Sequence, residues 1–134
     1  MPGADFMQIA IEQAHLAARK GEVPVGAVIV RDGRVLAKAY NMRERKQNAL
    51  AHAEVLAIGK ACRKLKSWRL DDCVMYVTLE PCEMCKGAVT NARLKKVYFG
   101  ALSDSDLNFT ADLQHDPHAE CGKLLKDFFS SKRG

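Results

Sequence analysis

Four residues whose side chains can bind a metal or move a proton stand in two short segments of the chain. His52 and Glu54 lie in the first segment, and Cys82 and Cys85 follow a proline in the second. One imidazole and two thiolates make three protein ligands, and three ligands with an open fourth position are typical of catalytic zinc. The residue types therefore predict a zinc site formed by His52, Cys82 and Cys85, with Glu54 as the unligated group that moves protons.

The Cys-x-x-Cys pair alone is also compatible with a structural zinc site or a redox dithiol. A structural site of four cysteines requires a second closely spaced pair, and Cys62, Cys73 and Cys121 show no such spacing. We expect these three to be buried as small apolar side chains. A thioredoxin-like dithiol would leave His52 and Glu54 unexplained, so catalytic zinc is the favoured interpretation.

The spacing of His52 and Glu54 constrains where they lie in a helix. Residues two apart in the middle of a helix point to nearly opposite faces, so these two can approach one metal only at a helix start. The proline before Cys82 indicates that a second helix starts there. Two helix N-termini would then face one site, and their partial positive charge favours thiolates over thiols.

The charge of the chain points weakly to an anionic partner. Its formal net charge is +5 at a sequence pI of about 9.0. A solvated surface explains any single basic cluster equally well, but several clusters together raise nucleic acid as a partner. The clusters are Arg43–Lys46, Lys60–Arg69, Arg93–Lys96 and Lys123–Arg133.

Length and patterning predict one domain spanning residues 1–134. No internal repeat, signal peptide or membrane-spanning run is apparent, and the odd number of cysteines fits a reducing compartment. We therefore expect a cytoplasmic protein that does not associate with a membrane.

The first half of the chain predicts a helix, a hairpin and a second helix. An N-cap at Asp5 begins the first helix, and Gly21 ends it. Asp-Gly at 32–33 separates two strand-like runs, Val25–Val30 and Val35–Tyr40, which is typical of a hairpin. Residues 41–50 are polar and predict a loop, followed by a helix from about His52 to Leu65 that turns Val55, Leu56, Ile58 and Gly59 inward.

The second half predicts alternating strands and helices. The order of elements over the whole chain indicates an α/β fold, with helices packed on a mixed sheet. The expected elements are a strand at Cys73–Leu79, a helix at Cys82–Arg93, a strand at Val97–Phe99, a short strand around Leu107–Ala111 and a last helix with Asp116 as N-cap and Pro117 at its first position.

These motifs resemble a known superfamily. His-Ala-Glu at 52–54 and Thr-Leu-Glu-Pro-Cys-Glu-Met-Cys at 78–85 are similar to the signature of cytidine and nucleotide deaminases. Further segments, among them Gly21–Val28, Trp68–Leu70 and Val97–Gly100, resemble the bacterial tRNA adenosine deaminase family. Residues 101–115 depart from it, because they are shorter and lack the family's Gly-rich loop.

The resemblance implies a fold, an activity and substrate contacts. It implies a three-layer α/β/α sandwich around a mixed five-stranded sheet, with Zn²⁺ as cofactor. It also implies a homodimer that converts adenosine to inosine at the wobble position of a tRNA anticodon loop. Asn41 would hydrogen-bond the nucleoside, the amide of Ala53 would contact the base and Val25 would line the base pocket, although a turn residue and a core valine explain Asn41 and Val25 as well.

Other activities share the zinc signature. One alternative is a deaminase of free bases or nucleosides such as cytosine or guanine, which needs no basic surface. Another is a deaminase of single-stranded DNA. A non-catalytic zinc-bearing subunit that lends RNA-binding surface to a partner is a further alternative. The presence of Glu54 disfavours it, because a structural site has no use for an unligated carboxylate.

Overall fold

Apart from one additional short helix, the helices and strands of the described residues follow the order that the sequence predicts. The computed structural model describes residues 2–102 and 113–133, with the side chains of 6–102 and 113–130. Its elements are α1 Pro2–Arg19, β1 Gly26–Arg31, β2 Arg34–Tyr40, α2 Arg43–Lys46, α3 Ala53–Leu65, β3 Cys73–Leu79, α4 Glu83–Ala92, β4 Lys96–Ala101, β5 Leu113–His115 and α5 Ala119–Arg133.

The strands form one mixed sheet in the order β2-β1-β3-β4-β5. Strand β1 pairs antiparallel with both β2 and β3, whereas β3 and β5 run parallel to β4. The start of β1 and the ends of β2 and β3 therefore lie at one edge of the sheet, which we call the upper edge. The β1–β2 hairpin turns at the opposite edge, where Asp32 and Gly33 both take positive φ values of 52° and 74°, as the predicted Asp-Gly turn requires.

Alternating side chains of the sheet face two separate cores. Val28 and Val30 pack with Tyr76 against α1, and Cys121 of α5 joins this cluster. On the other face Ile29, Met75 and Val77 pack with the buried residues of α3 and α4, among them Ala57 and Val89. Helices thus cover both faces of a central five-stranded sheet, and the predicted three-layer α/β/α class is confirmed.

The terminal helices begin at other residues than predicted. Helix α1 starts at Pro2 rather than at Asp5, with proline in the first turn, where its missing N–H costs no hydrogen bond. Helix α5 starts at Ala119 rather than at Pro117. The reason is that the N–H groups of Asp116 and His118 donate to the carbonyls of Phe99 and Gly100, at 2.8 and 3.0 Å, so this segment continues the pairing along β4.

Two further expectations need correction. Residues 41–50, predicted as a loop, contain the short helix α2. The inward face of α3 consists of Ala53, Ala57 and Ala61 together with Glu54, whereas Val55, Leu56, Ile58 and Gly59 are only partly buried. Small side chains let the helix lie close to the sheet, so the larger ones are displaced to its flanks.

The last predicted strand, around Leu107–Ala111, lies outside the described residues. The fifth strand that the structure describes is Leu113–His115. No helix within 2–102 and 113–133 has the length and apolar character needed to cross a bilayer.

Candidate metal centre

His52 and Cys82 hold the same position in two helices. Each is the residue directly before the first turn, of α3 and α4 respectively, and each has an extended backbone with φ and ψ of −76° and 151° for His52 and −72° and 173° for Cys82. Within the described residues, neither side chain caps its own helix. Both side chains are thereby available to a site at the upper edge, where the two helices start.

The three predicted ligands converge on one point. The ligand atoms of His52, Cys82 and Cys85 all lie within 4.8 Å of one another. Nδ1 of His52 is 3.7 Å from Sγ of Cys82 and 3.5 Å from Sγ of Cys85. A tetrahedral ion with Zn–S bonds of about 2.3 Å and Zn–N bonds of about 2.0 Å places nitrogen and sulfur about 3.5 Å apart, so the donor set and its spacing both fit zinc.

Glu54 lies beside these ligands without belonging to the cluster. Glu54 is 4 % exposed, and its carboxyl group lies beside the Cys85 side chain. Burial raises the pKa of Glu54 above its ordinary value, against the opposing effect of hydrogen bonds from a backbone amide and from Cys85. A carboxyl group with a raised pKa next to an open metal position is suited to accept and return a proton near neutral pH.

The protonation of the ligands follows from their burial. Burial raises the pKa of the Cys85 thiol, and the neighbouring charges of Glu54 and Cys82 raise it further. Burial also lowers the pKa of His52, and the positive charge of Arg43 lowers it further. The imidazole is therefore held neutral, as a ligand must be, and a bound dication would stabilise the Cys85 thiolate that burial disfavours.

A buried ion pair that the sequence did not predict fixes the start of α4. Lys86 is fully buried, and its Nζ lies 3.7 Å from Oε2 of Glu80, whose side chain is 17 % exposed. Glu80 follows β3 directly, so the pair joins the end of that strand to the first turn of α4 on either side of Cys82. The signal was present, since Lys86 stands one turn before the apolar Val89 on the buried helix face.

Backbone hydrogen bonds connect the predicted substrate residues to the ligand helix. The N–H of Asn41 donates to the carbonyl of Val25 at 3.1 Å, and the N–H of Met42 donates to the carbonyl of Ala51 at 2.9 Å. Val25 and Asn41 thus lie at the upper edge, next to the residues that lead into His52.

The side chains of the predicted substrate residues are largely buried. Asn41 is 8 % exposed; its Oδ1 accepts the N–H of Arg43 at 3.1 Å, and its Nδ2 donates to the carbonyl of Val23 at 3.4 Å. Asn41 therefore orders a turn. Its two side-chain bonds leave one amide hydrogen and one oxygen lone pair for another partner. Val25 and Ala53 belong to the core under α3, and a contact of any of the three with substrate stays a prediction.

Glu22 is a second residue whose role the sequence did not predict. It is 1 % exposed, and its two carboxylate oxygens accept the N–H groups of Glu44 at 3.1 Å and Arg45 at 2.7 Å. It thus anchors α2, the element that follows Asn41. An acidic residue at the start of an otherwise apolar run was the only sequence sign of this role.

Comparisons with known proteins agree with this geometry. A family model for MafB19-like deaminases matches residues 2–133. A tRNA-specific adenosine deaminase of Bacillus subtilis is 43 % identical over 143 residues, which cover 96 % of this chain and 89 % of the relative.

Two solved structures share the fold. One, from a study of A-to-I editing by tRNA:A34 deaminases at the wobble position of transfer RNA, superposes with a TM-score of 0.84 at 33 % identity and covers 91 % of this chain and 99 % of its own. A guanine deaminase from Bacillus subtilis superposes with a TM-score of 0.72 at 31 % identity, covering 98 % and 94 %.

Proposed function

The chain belongs to the MafB19-like deaminases and to the family of the tRNA-specific adenosine deaminases, and from this membership we propose that it deaminates adenosine to inosine at the wobble position of tRNA. The observation that carries the proposal is the cradle of His52, Cys82 and Cys85 with the buried carboxyl group of Glu54 beside it.

The cradle is proposed to hold zinc. The 3.5 and 3.7 Å separations of nitrogen and sulfur support this, as does the choice of one imidazole and two sulfurs. A zinc ion there would act as a Lewis acid that makes water easier to deprotonate. Two thiolates balance the charge of the dication, and the N-termini of α3 and α4 favour negative charge at the same place.

Glu54 is proposed to move the protons. Its carboxylate accepts a proton from the water that attacks C6 of adenine and returns it to N1. It then accepts the proton of the new hydroxyl group on C6 and gives it to the amino group that departs. One water is consumed, one ammonia leaves and a carbonyl replaces the amine. The burial of Glu54 supports this role, because a raised pKa brings its two protonation states closer in free energy at neutral pH.

The remaining roles at the site follow the resemblance. Asn41 would use its second amide hydrogen or lone pair for the nucleoside, Ala53 its amide in the first turn of α3, and Val25 its side chain as a wall of the pocket. Amides of the first turn have no partner within an α-helix, which supports the assignment of Ala53.

The wider setting is also proposed. Residues 1–134 would form one deaminase domain, active as a homodimer in the cytoplasm. The net charge of +5 supports an RNA substrate, and the anticodon loop offers an unpaired base that can enter a pocket at low unstacking cost.

A second candidate is deamination of a free base or nucleoside. The likeness to the guanine deaminase, at 31 % identity over most of both chains, favours it. Single-stranded DNA is a variant of the polymer substrate. Salt separates polymer from free base, because binding of a polyanion weakens steeply as salt rises and binding of a neutral base does not.

The direct test is incubation with an anticodon stem-loop that carries adenosine at the wobble position, and separately with free bases, nucleosides and the DNA stem-loop. Mass spectrometry of the products is expected to show inosine in the RNA. Turnover of guanine or cytosine, with the stem-loop unchanged, would refute the proposal in favour of the second candidate.

A further inference from the structure

We propose that α2 forms a phosphate-binding rim beside the metal centre, in which Arg43 contacts a backbone phosphate next to the target nucleotide and Glu22 holds the rim in place. The proposal rests on the proposed RNA substrate and names a contact through which this chain would bind it.

The rim lies next to the cradle. Arg43 follows Met42, whose N–H donates to the carbonyl of Ala51 at 2.9 Å, and Ala51 directly precedes His52. The two neighbouring backbones therefore bring Arg43 close to the ligand. A cation in this place lies beside the metal centre rather than on a remote surface.

The cations of the rim are free to bind an anion. Arg43, Arg45 and Lys46 are all exposed, and within the described residues no carboxylate forms an ion pair with any of them. Glu44 is the only acidic residue of α2. Arg69, in contrast, is paired with Asp71 at 3.0 Å.

Glu22 accounts for how the rim keeps its position. Its two carboxylate oxygens accept the N–H groups of Glu44 and Arg45, at 3.1 and 2.7 Å, rather than pairing with the guanidinium groups. A carboxylate buried to this extent fixes the backbone from the inside and leaves the basic side chains outside. Asn41 adds a second attachment through the N–H of Arg43 at 3.1 Å, so Arg43 is held on both sides.

The chemistry of the rim selects a phosphodiester. A guanidinium group presents a fork of N–H donors that matches two phosphate oxygens. A free base carries no negative charge for such a cation to neutralise, so an unpaired Arg43 favours a polymer over a free base. A nucleotide inserted into the site would carry its backbone past the rim, where phosphates flank the sugar on both sides.

The test measures RNA binding separately from turnover. The E54Q protein is titrated with the adenosine-containing stem-loop in potassium chloride from about 50 to about 300 mM, by fluorescence anisotropy. Adding Arg43→Gln is expected to raise the Kd roughly tenfold, the effect of losing one hydrogen bond to a charged group. The slope of log K against log salt is expected to become shallower by about 0.7, the value for one contact to a single strand.

Lys64 provides the matched control. It is exposed, lies near the C-terminal end of α3 and lines a cavity with Arg31 and Arg34 at the edge of the sheet where the β1–β2 hairpin turns, far from the metal centre. Lys64→Gln removes the same charge and is expected to leave Kd and slope as in the E54Q parent. The proposed phosphate contact would be overturned if both substitutions changed the Kd and the slope equally, or if Arg43→Gln changed neither.

Glu22 is tested by its dependence on Arg43. Glu22→Gln replaces one accepting oxygen with an amide NH2 group, which cannot accept the backbone N–H that faces it. The rim is therefore expected to loosen and the Kd to rise. If Glu22 acts through Arg43, the double substitution binds RNA about as weakly as Arg43→Gln alone; additive losses would overturn the positioning role. Failure of wild type to deaminate the stem-loop would refute the proposed function, whereas the binding data would still decide whether the rim contacts RNA.

Discussion

The carboxyl group of Glu54 lies beside the side chain of Cys85, and each group influences the pKa of the other, so the proposed proton carrier neighbours one of the proposed metal ligands. The two side chains lie near each other because Glu54 is in the first turn of α3 and Cys85 is in the first turn of α4. Both helices start at the upper edge of the sheet. Substituting each residue in turn separates their two proposed roles.

Replacing Glu54 with Gln is expected to keep the metal and remove most turnover. The amide retains the size of the side chain but cannot carry the proton, and general acid–base catalysis contributes about 10²- to 10⁴-fold to a rate. Zinc content by elemental analysis and the rate of inosine formation check this. A zinc-free variant, or one with more than a tenth of the wild-type rate, would count against the assignment.

Replacing Cys85 with Ser is expected to weaken zinc binding and abolish activity, because a hydroxyl group is a poor substitute for a thiolate ligand. Cys62→Ser is the control, since Cys62 is half-buried in α3 and outside the cluster. Competition with a chromogenic chelator measures the affinity. The ligand assignment fails if both variants hold zinc equally well.

The pH dependence of stability gives a third prediction, for the metal-free protein. Burial raises the pKa of Glu54, so the folded state favours the protonated carboxyl group. The stabilisation is present below the pKa of the unfolded chain and is lost as pH rises through the folded pKa. Glu54→Gln is therefore expected to raise the melting temperature at pH 7, with a gain that shrinks as the solution is acidified; a constant gain would refute the linkage.

Breaking the buried ion pair is expected to destabilise the fold. Lys86→Ala leaves the carboxylate of Glu80 partly buried without this cation, and removing one partner of a buried pair typically costs about 3–5 kcal/mol. Lys86→Met combined with Glu80→Gln is expected to recover part of that loss. Urea denaturation measures both.

The surface pair of Lys123 and Asp127 is the comparison for Lys86. Its atoms are 4.0 Å apart, and both side chains are mostly exposed. Lys123→Ala is expected to leave the unfolding transition unchanged, because exposed pairs contribute little. A loss as large as that of Lys86→Ala would mean that burial is not the cause.

The sequence predicted the elements whose chemistry is local. Asp32-Gly33 requires positive φ values and therefore a hairpin, and the bounds of β3 agree with the run Cys73–Leu79. The starts of α3 and α4 followed from the need for His52 and Cys82 to face one point. These inferences depend on residues that are close in sequence.

What the sequence did not reveal depends on distant contacts. Helix α2 has no apolar periodicity, and it is fixed by Glu22, which is about 20 residues earlier in the chain. Similarly, the burial of Lys86 depends on Glu80 across the β3–α4 connection. Charged residues are normally assigned to the surface, so only the fold reveals which of them are buried and with which partners.

The hairpin turn at Asp32-Gly33 has a practical consequence. It lies at the end of the sheet opposite the metal centre and consists of two residues outside both cores. A fluorophore, an immobilising tether or a fused protein attached at this turn would leave access to the metal centre unobstructed, so binding and turnover could be followed on a surface or as part of a larger fusion.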